Sequence, residues 1–270
     1  MDIERARSFV AQHGTPIERA RLHALLDDVT PREAPPELAT LQNPDGGFPF
    51  EFRTGNPSAL YHSALALDWL RDLGQHGSET ARGVYAFIRS RQRRRGLWRE
   101  SDELRRFELP LWMDPESAAG DVYTTALCGA AVIPSGEGEL AADRAVAWLQ
   151  TQQGRDGLLQ GFKVHASSLA VPVFAHILGQ EARATRRLVG GLGSALGPEW
   201  TPPMLANLLR RLLDGGYGPR TQVVARAWEM LQGMQEDDGS FSPGDEPESA
   251  TAATLLVIGV ARQFGRVAGS

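Results

Sequence analysis

The stretch Gln42-Asn43-Pro44-Asp45-Gly46-Gly47-Phe48 returns along the chain as Gln92-Arg93-Arg94-Arg95-Gly96-Leu97-Trp98, Gln153-Gly154-Arg155-Asp156-Gly157-Leu158-Leu159 and Gln235-Glu236-Asp237-Asp238-Gly239-Ser240-Phe241. All four copies fit Gln-x-x-(Asp/Arg)-Gly-x-(apolar). Five residues before each Gln stand Glu37, Phe87, Trp148 and Met230, and one residue later Leu38, Ile88, Leu149 and Leu231, apolar in every copy. Several columns therefore repeat together, which isolated surface turns do not do.

The spacings are 92−42=50, 153−92=61 and 235−153=82 residues. Twice 41 makes the last one, so a decayed copy is expected near position 194. Ser194, Gly197 and Trp200 fit it, with Val189 upstream and the Gln lost. Physically, an apolar helical residue and a Gln close one helix. Asp-Gly then turns the chain at a residue free to take positive φ, and an apolar side chain folds back before the next helix. Periods of this length belong to stacked helix pairs.

The motif, following an apolar helix, resembles the repeat of the prenyltransferase and squalene-oxidase superfamily, which includes squalene–hopene cyclase-like terpenoid cyclases and the β subunits of protein prenyltransferases. The resemblance spans residues 35–265. It implies an all-α chain folded as an α/α toroid, a six-by-two barrel of alternating inner and outer helices, and it implies fold more strongly than reaction.

Composition is that of a globular chain: 270 residues, 42% hydrophobic and 23% charged, enough for one core and one domain. A net charge of −5 leaves no basic excess to neutralise phosphates, so no nucleic-acid partner is expected. The single cysteine, Cys128, excludes an internal disulfide and a cysteine-built metal site. The charged N-terminus lacks the apolar core of a signal peptide, and no apolar run is long enough to span a bilayer, so a cytoplasmic location is expected.

Helix signals organise the rest into pairs. An N-terminal pair within residues 1–30 has Thr15 as N-cap and Pro16 at the first position of its second helix. Asn56-Pro57-Ser58 is read as the cap of a helix closed by Gly74. Further pairs follow at about 79–92 with 116 onward, 139–153 with 163–178, 181–193 with 202–213, and 221–235 with 247–264. Six pairs close a toroid. Helices 163–178 and 247–264 are apolar all round and belong to the inner ring. Helix 221–235 buries one face and is outer.

Parallel inner helices bring their first turns to one mouth of the cavity. Four such turns align: Tyr61-His62-Ser63, Tyr123-Thr124-Thr125, His165-Ala166-Ser167 and, in this register, Ala250-Thr251-Ala252, preceded by Ala59, Asp121, Lys163 and Glu248. The segment Gly120-Asp121-Val122-Tyr123-Thr124-Thr125-Ala126 resembles the protonating Asp-x-Asp-Asp-Thr-Ala segment of squalene-type cyclases. Tyr123 stands at the middle, proton-donating acid and Thr124 at the third. A phenol is a poor proton donor to an alkene beside a buried carboxylic acid. The zinc site of prenyltransferase β subunits would need a Cys where Tyr123 stands, so no metal and no other cofactor is expected. Asp27-Asp28 and Asp237-Asp238 lack the third acid of a metal–diphosphate motif.

The resemblance implies cyclisation or transfer on a hydrophobic isoprenoid or polyene-like substrate. Asp121, Tyr123 and His62 would handle protons or stabilise cations, and Tyr61, Thr124, His165, Trp112 and Glu248 would line the pocket. One alternative is a non-catalytic toroid binding an apolar ligand or a partner protein. Another is a glycan-acting barrel, for which Asp121 with Glu248 is the only carboxylate pair. The apolar stretch of the insertion, 99–115, is read as a lid or a contact with a partner or lipid surface, with packing on the barrel rim as the plain alternative.

Overall fold

A computed structural model describes residues 1–26, 35–136, 138–244 and 249–268. Asp27, Asp28 and Glu248 lie outside the described residues. Among the described residues twelve α-helices carry the fold: α1 (Ile3–His13), α2 (Pro16–Leu26), α3 (Pro36–Ala39), α4 (Leu60–Asp72), α5 (Glu79–Ser90), α6 (Ala118–Val132), α7 (Glu139–Thr151), α8 (Lys163–Leu178), α9 (Arg183–Ala195), α10 (Pro202–Asp214), α11 (Gln222–Gln232) and α12 (Ala250–Ala268). Strand is confined among the described residues to one antiparallel pair, Phe48–Pro49 with Ser58–Ala59, and two isolated bridges.

The even-numbered helices form the inner ring. Each packs on the next, α2 on α4, α4 on α6, α6 on α8, α8 on α10 and α10 on α12, and α12 returns to α2. The odd-numbered helices lie outside. This is the six-by-two α/α toroid that the repeat implied.

The repeat columns each have a physical task. Leu38, Ile88, Leu149 and Leu231 are fully buried, as are Phe48, Trp98, Leu159 and Phe241 at the motif's end. Between them, each Gln side-chain amide donates twice. Gln42 reaches Gly46 O (2.8 Å) and Thr80 O (2.9 Å), and Gln92 reaches Gly96 O (2.9 Å) and Ala141 O (2.8 Å). Gln153 reaches Gly157 O (2.8 Å) and Ala184 O (3.0 Å), and Gln235 reaches Gly239 O (3.1 Å) and Asp2 O (2.8 Å). One bond closes the Gln's own turn. The other fastens that turn to the start of the next outer helix, so the motif joins neighbouring repeats.

The motif glycine has no substitute. Gly157 sits at φ +87°, and a Cβ there would lie 2.1 Å from the Arg187 carbonyl of the next outer helix. In the decayed copy Gly197 is outside the positive-φ set and the Gln bond is replaced: Arg226, on α11, donates to Leu196 O at 3.0 Å. Trp200 keeps the apolar position, buried, with its indole on Ala195 O (2.8 Å), as Trp98 does on Ile88 O (2.6 Å).

A further column joins turn to inner helix. The backbone N–H groups of Phe48, Trp98, Leu159 and Phe241 donate to the hydroxyls of Ser63, Thr125, Ser167 and Thr254, at 2.8–3.0 Å. This sets the register of the inner helices and corrects the sequence alignment. Thr254, not Ala252, is the counterpart of Ser63, so Ala252 takes the position of Tyr61 and Ala250 that of Asp121. The start of α4 is also not as read: its N-cap is Ala59, without a side-chain cap, and Asn56 bonds instead to Phe50 O (2.9 Å). Thr15 does cap α2, exchanging bonds with Glu18.

Candidate functional site: the central cavity and its vestibule

Inner-helix stripes at i, i+3/i+4 and i+7 run down the inside of the ring. They comprise Tyr61, Leu65 and Asp68 on α4, Tyr123 and Leu127 on α6, Val164, His165, Ser168 and Leu169 on α8, and Met204, Asn207 and Arg211 on α10. Together with Trp200 they enclose a cavity of roughly 90 Å³. Above it, Tyr61 and Leu65 also border a vestibule of roughly 600 Å³, walled by Phe50, Phe52, His62, Trp69, Trp112 and Met113 among others. The insertion supplies Trp112 and Met113. Its Leu104 and Met113 are buried against Phe50 and Ala59, so the insertion is a packed wall of the vestibule.

Four aromatic rings cluster where the two spaces meet. Tyr123 lies 6.4 Å from Tyr61, 6.3 Å from Trp112 and 6.1 Å from Phe162, centroid to centroid. The sequence-derived site residues thus divide. Tyr61, Tyr123 and His165 line the cavity, and His62 and Trp112 line the vestibule. Thr124 is buried but lines neither.

Asp121 lines neither space. It is 5% exposed, and both its oxygens take the Arg99 guanidinium, Oδ1 from Nε at 2.7 Å and Oδ2 from Nη2. The glycan reading needed Asp121 opposite Glu248. Asp121 is held by Arg99, and the register correction puts Ala250 in the helix-start column where Glu248 was read.

The cavity floor is charged, which the sequence reading missed. Asp68 accepts from Arg211 (2.6 Å) and lies within 3.3 Å of Arg71, while Asp72 joins Arg21 (2.7 Å) and Arg210 (2.9 Å). Burial pushes the Asp68 carboxyl up, but the Arg211 and Arg71 guanidiniums outweigh it and hold the group below its ordinary range. Asp68 and Arg211 also border a separate pocket of roughly 570 Å³ at the opposite end of the ring. Their pair is the partition between the two. The signal was legible: both are ionisable residues seven positions after a cavity-lining one, Tyr61 or Met204, on one helix face.

Two further groups have displaced acidity. Glu100, 2% exposed, accepts from Leu60 N–H (2.8 Å) and Tyr61 N–H (2.7 Å), and so caps the helix that has no cap of its own. Burial raises it to about 7, and those two bonds oppose the rise. His62 is lowered to about 4 by burial. Its Nε2 accepts from Glu51 N–H at 3.2 Å. Glu51 and Phe52 are consecutive non-glycine residues at φ +54° and +52°, held there as Phe52 stacks on Trp69 at 4.6 Å. No group of three or more metal-ligating side chains occurs among the described residues.

No protein-family model and no curated protein matches the chain by sequence. Solved structures do match in fold. The type II terpene cyclase MstE from Scytonema, without ligand, aligns with TM-score 0.69 at 15% identity over 98% of each chain. A variant of MstE in complex with geranylgeranyl dihydroxybenzoate aligns at 0.67 and 15% identity, covering 98% of this chain and 97% of that one. A protein from Actinoplanes aligns at 0.67 and 18% identity, covering 99% and 98%. The chain therefore has the fold of MstE and of the Actinoplanes protein. No described helix is long and apolar enough to cross a membrane.

Proposed function

We propose that the toroid is a receptor: it takes up a hydrophobic, prenyl- or polyene-type molecule through the vestibule into the central cavity, and it leaves that molecule uncyclised because the cavity has, among the described residues, no carboxylic acid free to start the reaction. One observation carries this reading. The carboxylate that lines the cavity, Asp68, is ion-paired to Arg211, and Tyr123, which the resemblance aligns with the cyclases' protonating acid, presents a phenol instead. The MstE complexes, whose ligands are a geranylgeranyl compound and a merosterolic acid, support the ligand class. Incubating the protein with prenyl polyenes, followed by mass spectrometry of the bound and free fractions, tests it. Bound but unchanged polyene is expected. A cyclised product from wild-type protein rejects the second half of the proposal, and absence of any binding rejects the first.

A catalytic reading has its own support in the aromatic cluster of Tyr61, Tyr123, Trp112 and Phe162, whose faces suit a carbocation. Under it Tyr123 and His62 handle the proton and Asp121 orients the segment. Turnover that slows in Tyr123→Phe would favour this reading over the receptor.

A further inference from the structure

His62 and Trp112 each carry a buried nitrogen, Nδ1 and Nε1, that reaches no hydrogen-bond partner. Both belong to the wall of the one vestibule. For His62 the tautomer follows from its other nitrogen. Nε2 accepts from the Glu51 backbone N–H, so in the neutral ring the proton resides on Nδ1, and Nδ1–H is a donor. The indole N–H of Trp112 can only donate. The two unsatisfied donors thus belong to residues of a wall that is largely apolar, with Phe50, Phe52, Leu65, Trp69 and Met113, and that also carries the charged side chains of Glu18, Arg21, Glu51 and Glu108.

Unpaired buried donors are costly, and native folds retain few of them. Here the cost is compounded by the left-handed pair Glu51–Phe52, whose first N–H fixes the imidazole. The imidazole is packed against the Phe50, Phe52 and Tyr61 rings, at centroid distances of 5.3, 5.2 and 5.1 Å. Such packing holds its orientation.

We propose that the vestibule recognises the oxygenated end of the hydrophobic ligand: a carbonyl or carboxyl oxygen that accepts from His62 Nδ1–H and Trp112 Nε1–H, while the apolar chain continues past Tyr61 into the ring. The inference rests on the receptor reading and adds a polar head to it. A donor-only pair selects an acceptor, so a hydrocarbon of the same chain lacks what the vestibule is built to bind.

The test uses the full chain with farnesoic acid, farnesal and farnesene as probes, followed by tryptophan fluorescence. The acid and the aldehyde are expected to bind about tenfold tighter than farnesene, the size of one or two buried hydrogen bonds. That gap should shrink to about threefold or less in His62→Phe and narrow in Trp112→Phe, the loss of one bond each. Long-range proton–nitrogen spectra should show the Nδ1–H tautomer and a shift of that nitrogen with farnesal but not with farnesene. Equal affinity for all three probes overturns the proposal and leaves the receptor reading standing, as does an Nε2–H tautomer or an unchanged gap in a folded His62→Phe protein. If His62→Phe does not fold, the spectra and Trp112→Phe decide. Failure of every probe, farnesene included, overturns the receptor reading itself and this inference with it.

Discussion

Gln235 donates from Nε2 to the Asp2 carbonyl at 2.8 Å and accepts the Asp2 N–H at 2.5 Å, joining the last repeat to the first helix. The same amide bond links every other Gln-bearing turn to its successor, so the ring is closed by the device that builds it. Replacing Gln235 by Ala removes the partner of the Gly239 carbonyl and of the Asp2 N–H, while the Asp2 carbonyl keeps the Ala6 N–H at 3.2 Å. A loss of about 1–2 kcal/mol is expected in urea unfolding, close to that of Gln153→Ala. A neutral Gln235→Ala would show that the seam contributes nothing.

Gly157→Ala should be more damaging than either. The added methyl meets the Arg187 carbonyl, and the alanine must hold φ +87°. A cost of about 2–4 kcal/mol is expected. Gly55 also has positive φ but faces open space. Gly55→Ala should therefore cost about 1 kcal/mol, the backbone strain alone. Equal losses for the two would refute the steric account.

Asp121→Asn should lower stability by about 1–3 kcal/mol, because the Arg99 guanidinium loses its bidentate carboxylate and a buried amide NH2 takes the place of one acceptor. Affinity for an apolar probe should be unchanged, since the side chain borders neither the cavity nor the vestibule. Calorimetry beside a binding titration separates the two effects. A variant of normal stability that no longer binds would return Asp121 to the site.

Glu100 and His62 tilt the pH dependence in opposite directions. Glu100 is raised from 4.5 to about 7, so its contribution is full below pH 4.5 and is lost as pH rises through 7. His62 is lowered from 6.5 to about 4, so its contribution is present above pH 6.5 and is lost as pH falls through 4. Between pH 4.5 and 6.5 the two slopes oppose each other, and the wild-type protein should be nearly level there. Glu100→Gln should expose a stability that rises with pH across that window, and His62→Phe one that falls, each by up to about 3 kcal/mol. Denaturation midpoints at intervals of pH check the signs, and two parallel slopes would contradict the assignment.

The fold was legible because the repeat columns carry local, recurrent duties: a Gln that bonds two carbonyls, a Gly at positive φ, and an apolar residue sealed beneath the turn. The site was legible only in part. Tyr61, Tyr123 and His165 share one helical position after equivalent turns, so alignment found them. The fourth turn was misaligned by two positions because the span from the motif's last residue to the helix hydroxyl varies, 15, 27, 8 and 13 residues in the four copies, so the motif alone does not point to Thr254. Glu100 and Arg99 lie in the insertion, outside any repeat. Their partners, the start of α4 and Asp121, are set by tertiary packing, so no spacing announces them. Asp68 and Arg211 were hidden by the ordinary expectation that charged helix residues face solvent.

The Asp68–Arg211 partition makes the chamber a cul-de-sac. On the receptor reading proposed above, a guest that goes in tail first would come out only head first, through the doorway it used, and a second guest would wait for it. Residence time is then set at that doorway, where Trp112 and Tyr123 stand 6.3 Å apart, and the far end of the ring has no part in the traffic.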